Sequence, residues 1–226
     1  DPMGSETGAG TTNYDVLFVP SPINNPMGKT LSGLMTLSKY IPKKVIRHSY
    51  AGNFSFPMGL FMLDRCFLIS YYEVNNGKEL LIINTHNSAF DDGNLRKQQM
   101  MQLKEFMINE YNKGKYIIAG GDWNQCPPEL QENIPGWVFN KSNIMKIDKE
   151  LFPENWKWIY KNDIPTNRKL DRSYDKRETP TTVIDFFLVS PNVEVLSVQN
   201  INLEFKHSDH NPVKASFKLL PTSGKE

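Results

Sequence analysis

The amino-acid sequence predicts an α/β layered domain, and three successive stretches carry the prediction. "KELLIINTH" (78–86) is an apolar run of strand length, "NLRKQQMMQLKEFMINEYNKG" (94–114) follows with helical periodicity, and "KYIIAGG" (115–121) returns at once to a buried strand. Strand, helix and strand in succession is the pattern of a sheet with helices packed on it.

The remaining elements follow in chain order. "YDVLFVP" (14–20) is a short apolar run ended by proline, and "SPINNPMGKTLSG" (21–33) reads as loop from its Pro, Gly, Asn and Ser content. "LFMLDRCFLISYYEV" (60–74) and "KELLIINTH" read as strands joined at "NNG", where Asn-Gly signals a hairpin turn. In the helix, Leu95, Met100, Met101, Leu103, Phe106, Met107 and Tyr111 fall at helical spacings, and Gly114 is placed to cap its C-terminus. From 125 to about 182 the pattern weakens into a loop, "CPPELQENIPGW", and an aromatic, basic stretch without period; such long irregular segments in a compact domain are usually functional or disordered. "TTVIDFFLVSP" (181–191) is again a strand, "VEVLSVQNINLEF" (193–205) continues with a polar interruption, and the loop "SDHNPV" (208–213) leads into a last strand, "VKASFKL". Residues 1–12, small, polar and without an initial Met, are expected to be a disordered leader or an expression remnant, 13–220 one domain, and 221–226 a tail.

Composition narrows the function classes. A chain of 226 residues that is 39% hydrophobic can bury a sizeable core. With 26 Lys and Arg against 25 Asp and Glu, no whole-chain field attracts nucleic acid or an acidic membrane, so any such binding needs a local patch. Cys66 and Cys126 are too few for a disulfide framework or a zinc site, although one bridge stays open. No apolar run reaches the roughly 18 residues of a membrane span, no signal peptide opens the chain, and no protein partner is evident.

Polar groups recur where a core has no use for them. "LLIINTHNS" runs into Asn84, Thr85 and His86; "YIIAGGDWNQ" runs into Asp122 and Asn124 after two glycines that permit close backbone approach; Asp185 interrupts the apolar "VIDFFLV". Asp209 and His210 are neighbours, and neighbours on a strand face opposite ways, so they serve one site only where the backbone bends. Pro212 fits a bend there. Each group alone has an ordinary reading: a hydrogen-bonded histidine, an Asx turn at "GDWN", an acid paired with an arginine, a polar turn. Together they would share one sheet rim, where sites form. Three carboxylates and an amide oxygen suit Mg²⁺, Mn²⁺ or Ca²⁺, and two histidines beside them can move protons near neutral pH. Attack of water on a phosphate ester needs that combination.

"INTHNS", "GGDWNQ", "VIDFFLVS" and "SDHNPV", in this order, resemble the endonuclease/exonuclease/phosphatase superfamily, over most of the chain from about "YDVLFVP" to the end. The resemblance implies a DNase I-like fold: a four-layer α/β sandwich of two packed mixed β-sheets flanked by helices, with the site at one edge. It implies that Asp122 and Asn124 orient the attacking water or the phosphate, that Asp209 with Asp122 holds the metal, and that His210 is the catalytic histidine, polarised by Asp185. His86 matches a phosphate-contacting or acid position, and Arg65 resembles an arginine that reaches phosphate, a salt bridge with Asp64 or another rim acid being the alternative. The superfamily's opening strands, one bearing an Asn and one ending in "QE" whose Glu is the principal metal ligand, have no counterpart here; Glu6 lies outside any expected strand. Either the first strands are missing, as in a fragment or a shortened chain, or the protein is a degenerate member of the superfamily; loss of the early strands would expose a sheet edge.

The substrate clue is local. Trp156, Trp158 and Tyr160 alternate with Lys157, Lys161, Arg168, Lys169, Arg172, Lys176 and Arg177, a mixture that can stack bases and neutralise phosphates. Asn124, Trp156, Arg168 and Arg65 are the expected substrate contacts. The same residues could meet a lipid or sugar-phosphate headgroup, and Asp163, Asp171, Asp175 and Glu178 dilute the charge towards that of an ordinary solvated loop. The first reading is a phosphodiesterase dependent on Mg²⁺ or Mn²⁺, nuclease-like; a phosphatase or phospholipid phosphodiesterase on the same site and a weakly active or inactive binding module are the alternatives.

Overall fold

The computed structural model describes residues 5–7, 12–18, 29–52, 65–74, 77–89, 93–132, 134, 136–140 and 145–221. The chain divides into two compact units, Asp1–Ala119 and Gly120–Glu226.

In the first unit, strands β1 (Ser5–Thr7), β4 (Lys44–Ser49), β5 (Cys66–Glu73), β6 (Glu79–His86) and the start of β7 (Tyr116–Asp122) lie side by side in the order β1-β4-β5-β6-β7. β2 (Thr12–Phe18) and β3 (Lys29–Met35) form a separate antiparallel pair. The pleat of β6 explains the layering. Leu81, Ile83 and Thr85 are buried on one face, while Ile82, Asn84 and His86 turn to the other, where Asn84 Nδ2 donates to the Met35 carbonyl at 3.2 Å.

The helix α1 (Asn94–Asn112) buries Arg96, Gln99, Met100, Leu103, Met107 and Glu110, a stripe at three- and four-residue spacing. Its ends are polar. Gln99 takes the Ser88 N–H (2.9 Å) and donates to Ser88 Oγ (2.8 Å), which fixes the chain just past His86. Glu110 pairs with Lys113 (2.5 Å) and with Lys115 (2.6 Å), and Lys115 also meets Glu79 at 2.9 Å. Burial raises the Glu110 carboxyl, but the lysine hydrogen bonds and charges outweigh it and hold the group below its ordinary range. Met101, expected on the buried face, is exposed. Gly114 follows the helix at φ +86, its N–H on the Tyr111 carbonyl at 2.8 Å, as expected for a cap.

Two expectations fail in this unit. Residues 29–33, read as loop, belong to β3, where their backbone pairs with β2. Residues 5–7, read as leader, form β1, with Glu6 opposite Ile46, so Glu6 lies on a strand. Backbone pairing needs no apolar side chains, and a composition reading therefore misses such strands. Residues 60–64 of the expected strand 60–74, residues 21–28, the Asn pair of "NNG" and 222–226 lie outside the described residues.

In the second unit, β7 is followed in the sheet by β11 (Asp185–Val189) and then β8 (Lys157–Ile159), with β11 and β8 antiparallel. β9 (Asn167–Arg168) pairs with β10 (Thr181–Thr182), and β12 (Val193–Asn200) pairs with β13 (Val213–Leu219). β11 again alternates. Phe187 meets Phe217 of β13 at 5.5 Å, so the β12–β13 pair covers that face. Gly120 is required beside it: a Cβ there would stand 2.6 Å from the Phe187 ring. On the opposite face Phe186 stacks on Trp123 (5.4 Å) and meets Trp158 edge-on, and Phe152 continues this cluster to Trp156.

Among the described residues α1 is the one α-helix. Cys66 and Cys126 are both buried and are not joined in a disulfide. No helix among the described residues is long and apolar enough to cross a membrane.

Candidate active site

Three short segments of the second unit converge: the end of β7, the start of β11 and the 208–211 loop. β7 delivers Asp122 at its last residue. The Asx turn expected from "GDWN" is present, Asn124 N–H donating to Asp122 Oδ1 at 2.8 Å with Asn124 at φ +48, a conformation that Asn tolerates. The other oxygen, Oδ2, remains turned to His210 Nε2 at 3.8 Å. Trp123 between them is fully buried, its indole N–H on the Phe186 carbonyl at 2.9 Å. The buried tryptophan thus pins the turn that aims Asp122.

Asp185 opens β11. Thr166 Oγ1 accepts the N–H groups of both Ile184 and Asp185 at 3.1 Å, holding the strand start in place. The 208–211 loop bends as the adjacency of Asp209 and His210 requires, with the His210 N–H on Ser208 Oγ at 3.1 Å. Asn211, buried, anchors it: its N–H meets the Thr166 carbonyl (2.7 Å), its Nδ2 the Pro165 carbonyl (2.9 Å), and its Oδ1 takes the Leu203 N–H (3.1 Å).

His210 Nδ1 then lies 2.8 Å from Asp185 Oδ2, so the ring donates from Nδ1 and presents Nε2 to the site. Around Nε2 stand Asp122 Oδ2 at 3.8 Å, Asp209 Oδ2 at 3.9 Å and Asn167 Nδ2 at 3.1 Å. Burial opposes charging of this imidazole, but the Asp185 hydrogen bond and the charges of Asp185, Asp122 and Asp209 prevail and push it up to about 9. Asn167 acts in the other sense. Its amide nitrogen also lies 3.5 Å from the Asp209 carbonyl, which orients it as a donor, and a donor facing Nε2 favours the unprotonated ring nitrogen.

Asn167 had no signal in the sequence beyond being polar within "IPTNRK", because the contact is made across a bridge to His210, forty-three positions away. Asn167→Ala is expected to lower kcat about ten- to a hundredfold through loss of ring orientation, with KM nearly unchanged. Steady-state kinetics check this, and an unaltered kcat would make the contact incidental.

A cavity of about 420 Å³ adjoins Asp185 and His210, walled by Phe187, Leu203, Phe205 and Pro212 with Lys206 at its side. Glu204 and Phe205 hold the left-handed backbone region at φ +52 and +51, a sparsely populated geometry for such residues, and Phe205 is fixed there by the Tyr174 ring at 4.9 Å.

Several expected contacts take other places. Trp156 is 5% exposed and packed on Phe152, so its ring belongs to the core and cannot stack on substrate. Arg168 lies beside the site through its N–H on the Asp209 carbonyl (3.0 Å), but its guanidinium caps the carbonyls of Lys169 and Arg172, both at 3.2 Å. Lys169 and Arg172 in turn pair with Asp171. Asp185 is committed to the imidazole and is not available as a third metal carboxylate. His86 closes β6 and Arg65 immediately precedes β5, both in the first unit.

Solved structures match this chain in topology. An endonuclease/exonuclease/phosphatase from Bacteroides vulgatus matches at TM-score 0.54 and 20% identity, over 91% of this chain and 76% of that one. The chain has the DNase I-like fold. A second endonuclease/exonuclease/phosphatase, from Beutenbergia cavernae, matches at 0.52 and 14%, over 92% of this chain and 53% of that one, and ANGEL2, a 2',3'-cyclic phosphatase, at 0.51 and 14%, over 90% and 74%. No protein-family model and no curated protein matches the sequence. DNase I-like topology is thus carried here by a chain whose sequence has diverged to a fifth identity or less from these relatives in fold.

Proposed function

We propose that this chain is a divalent-metal-dependent phosphoesterase that hydrolyses phosphodiester bonds by attack of water, with nucleic acid as its first candidate substrate class. The observation that carries the reading is His210, held by Asp185 at 2.8 Å with Nε2 turned towards two further carboxylates. Asp185 fixes the ring tautomer and stabilises its protonated form. Once protonated and turned from the Asn167 amide to substrate, Nε2 is placed to donate to a phosphoryl or leaving oxygen, where negative charge develops. Asp122 and Asn124, on the pinned turn, supply an acceptor and an amide that orient water or phosphate.

No cluster of three or more metal-ligating side chains exists among the described residues. The available donors are the carboxylates of Asp122 and Asp209, and Mg²⁺ is commonly held by one or two carboxylates with the substrate's own phosphate oxygens completing its shell. Mg²⁺ or Mn²⁺ therefore fits the donor set better than Ca²⁺, which takes six to eight oxygens. When bound, the ion supplies charge neutralisation at the phosphate and an activated water.

Nucleic acid is favoured by the exposed cations Lys161, Lys176 and Arg177 in the segments on either side of β9, whose Asn167 bridges to His210. The test is hydrolysis of bis-p-nitrophenyl phosphate and of plasmid DNA with Mg²⁺, with Mn²⁺ and with EDTA. Turnover that EDTA abolishes and added metal restores is expected. A folded protein that turns over neither substrate under any metal would overturn the proposal in favour of a binding role.

A further inference from the structure

Four large apolar side chains stand in water within seven residues. Met35 is 60% exposed, Leu37 77%, Tyr40 79% and Ile41 87%, all at or just after the end of β3. Isolated exposed apolar residues are unremarkable, but a concentration of them marks a surface that meets something.

The segment is held at both ends. Asn84 Nδ2 takes the Met35 carbonyl at 3.2 Å on one side, and Lys43 N–H meets the Tyr71 carbonyl at 2.7 Å on the other, with Pro42 and Val45 buried beneath. Between these anchors the Tyr40 N–H turns onto Ser38 Oγ at 3.0 Å. The loop has a defined shape and still leaves Leu37, Tyr40 and Ile41 outside.

Charge identifies the occupant. Between Asp15 and Asp64 the sequence contains no acid, and that 48-residue stretch carries Lys29, Lys39, Lys43, Lys44 and Arg47. The whole chain has a net charge of only +1, so this concentration is local. Lys39 lies within the loop itself, and Lys43 is 60% exposed with a single 3.5 Å ion pair to Glu79. A second copy of the chain would bring the same cations face to face, which is repulsive. An anionic bilayer meets every part of the loop at once: aliphatic tips enter the acyl boundary, the tyrosine ring sits at headgroup level, and lysines reach lipid phosphates with their stems along the apolar surface.

We propose that residues 35–41, with Lys39, Lys43 and Lys44, form a docking loop for an anionic lipid bilayer. This inference stands on the loop alone and is independent of the phosphoesterase reading. It is tested by sedimentation of the protein with vesicles of phosphatidylcholine, with and without phosphatidylserine, comparing the wild-type chain with a Leu37→Ser, Tyr40→Ser, Ile41→Ser variant and with Lys39→Glu.

Binding to the serine-lipid vesicles is expected, weakening as salt rises. It should fall about tenfold or more in the triple variant and less in Lys39→Glu. The substituted side chains are exposed, so melting temperatures should match, and a variant that melts early is replaced by Tyr40→Ser alone. Absence of wild-type binding to any vesicle overturns the proposal. So does equal binding by wild-type and triple variant, and so does concentration-dependent self-association that the triple variant abolishes without vesicle binding, which would assign the patch to a second copy.

Discussion

His210→Ala should lose about a thousandfold in turnover of bis-p-nitrophenyl phosphate while the chain folds normally, because the substitution removes the site's proton donor and leaves its carboxylates. The ring is partly exposed, and the loop that carries it is held by Asn211 and Ser208 rather than by the imidazole. An unchanged far-UV circular dichroism spectrum and a melting temperature within a few degrees of wild type should therefore accompany the loss. Near-normal turnover in this variant would remove the basis of the proposed function.

Asp185→Asn should be almost as damaging, about 10²- to 10⁴-fold in kcat, although it changes hardly any volume. The carboxylate accepts from Nδ1 at 2.8 Å, whereas an amide can present N–H to that nitrogen and select the wrong tautomer. Asp185 is also, after the opposing effect of burial, the leading cause of the raised imidazolium pKa. Its removal lowers that value, so the surviving activity should show a pH–rate profile displaced to lower pH. A profile that keeps its wild-type position would mean that the pair does not act as a unit.

Much of this site was legible because its residues interrupt patterns that were otherwise strong. Asp185 breaks an apolar strand, Asp122 ends one after two glycines, and Asp209 and His210 sit beside a proline; each violates the rule of its surroundings, and the structure gathers the three acids around the His210 imidazole. Trp156 misled for the opposite reason. Its basic and aromatic neighbours are the same whether the ring faces water or core, and only the Phe152 contact distinguishes the two. Asn167 gave no signal, because its work is done by a hydrogen bond to a residue forty-three positions away.

The sequence by itself determined the order and type of the principal elements, since the periods of α1, β5, β6, β7, β11 and β13 follow from which side chains avoid water. It also supplied the groups on which the proposed reaction rests, the carboxylates of Asp122, Asp185 and Asp209, the His210 imidazole and the Asn124 amide. Only the tertiary structure decided how the carboxylates divide their roles, with Asp185 given to the ring, Asp122 shared between its own turn and the site, and Asp209 facing Nε2. It alone also decided that Leu37, Tyr40 and Ile41 lie outside the core. Apolar character can be read from composition, but whether a side chain is covered depends on what the rest of the chain leaves beside it.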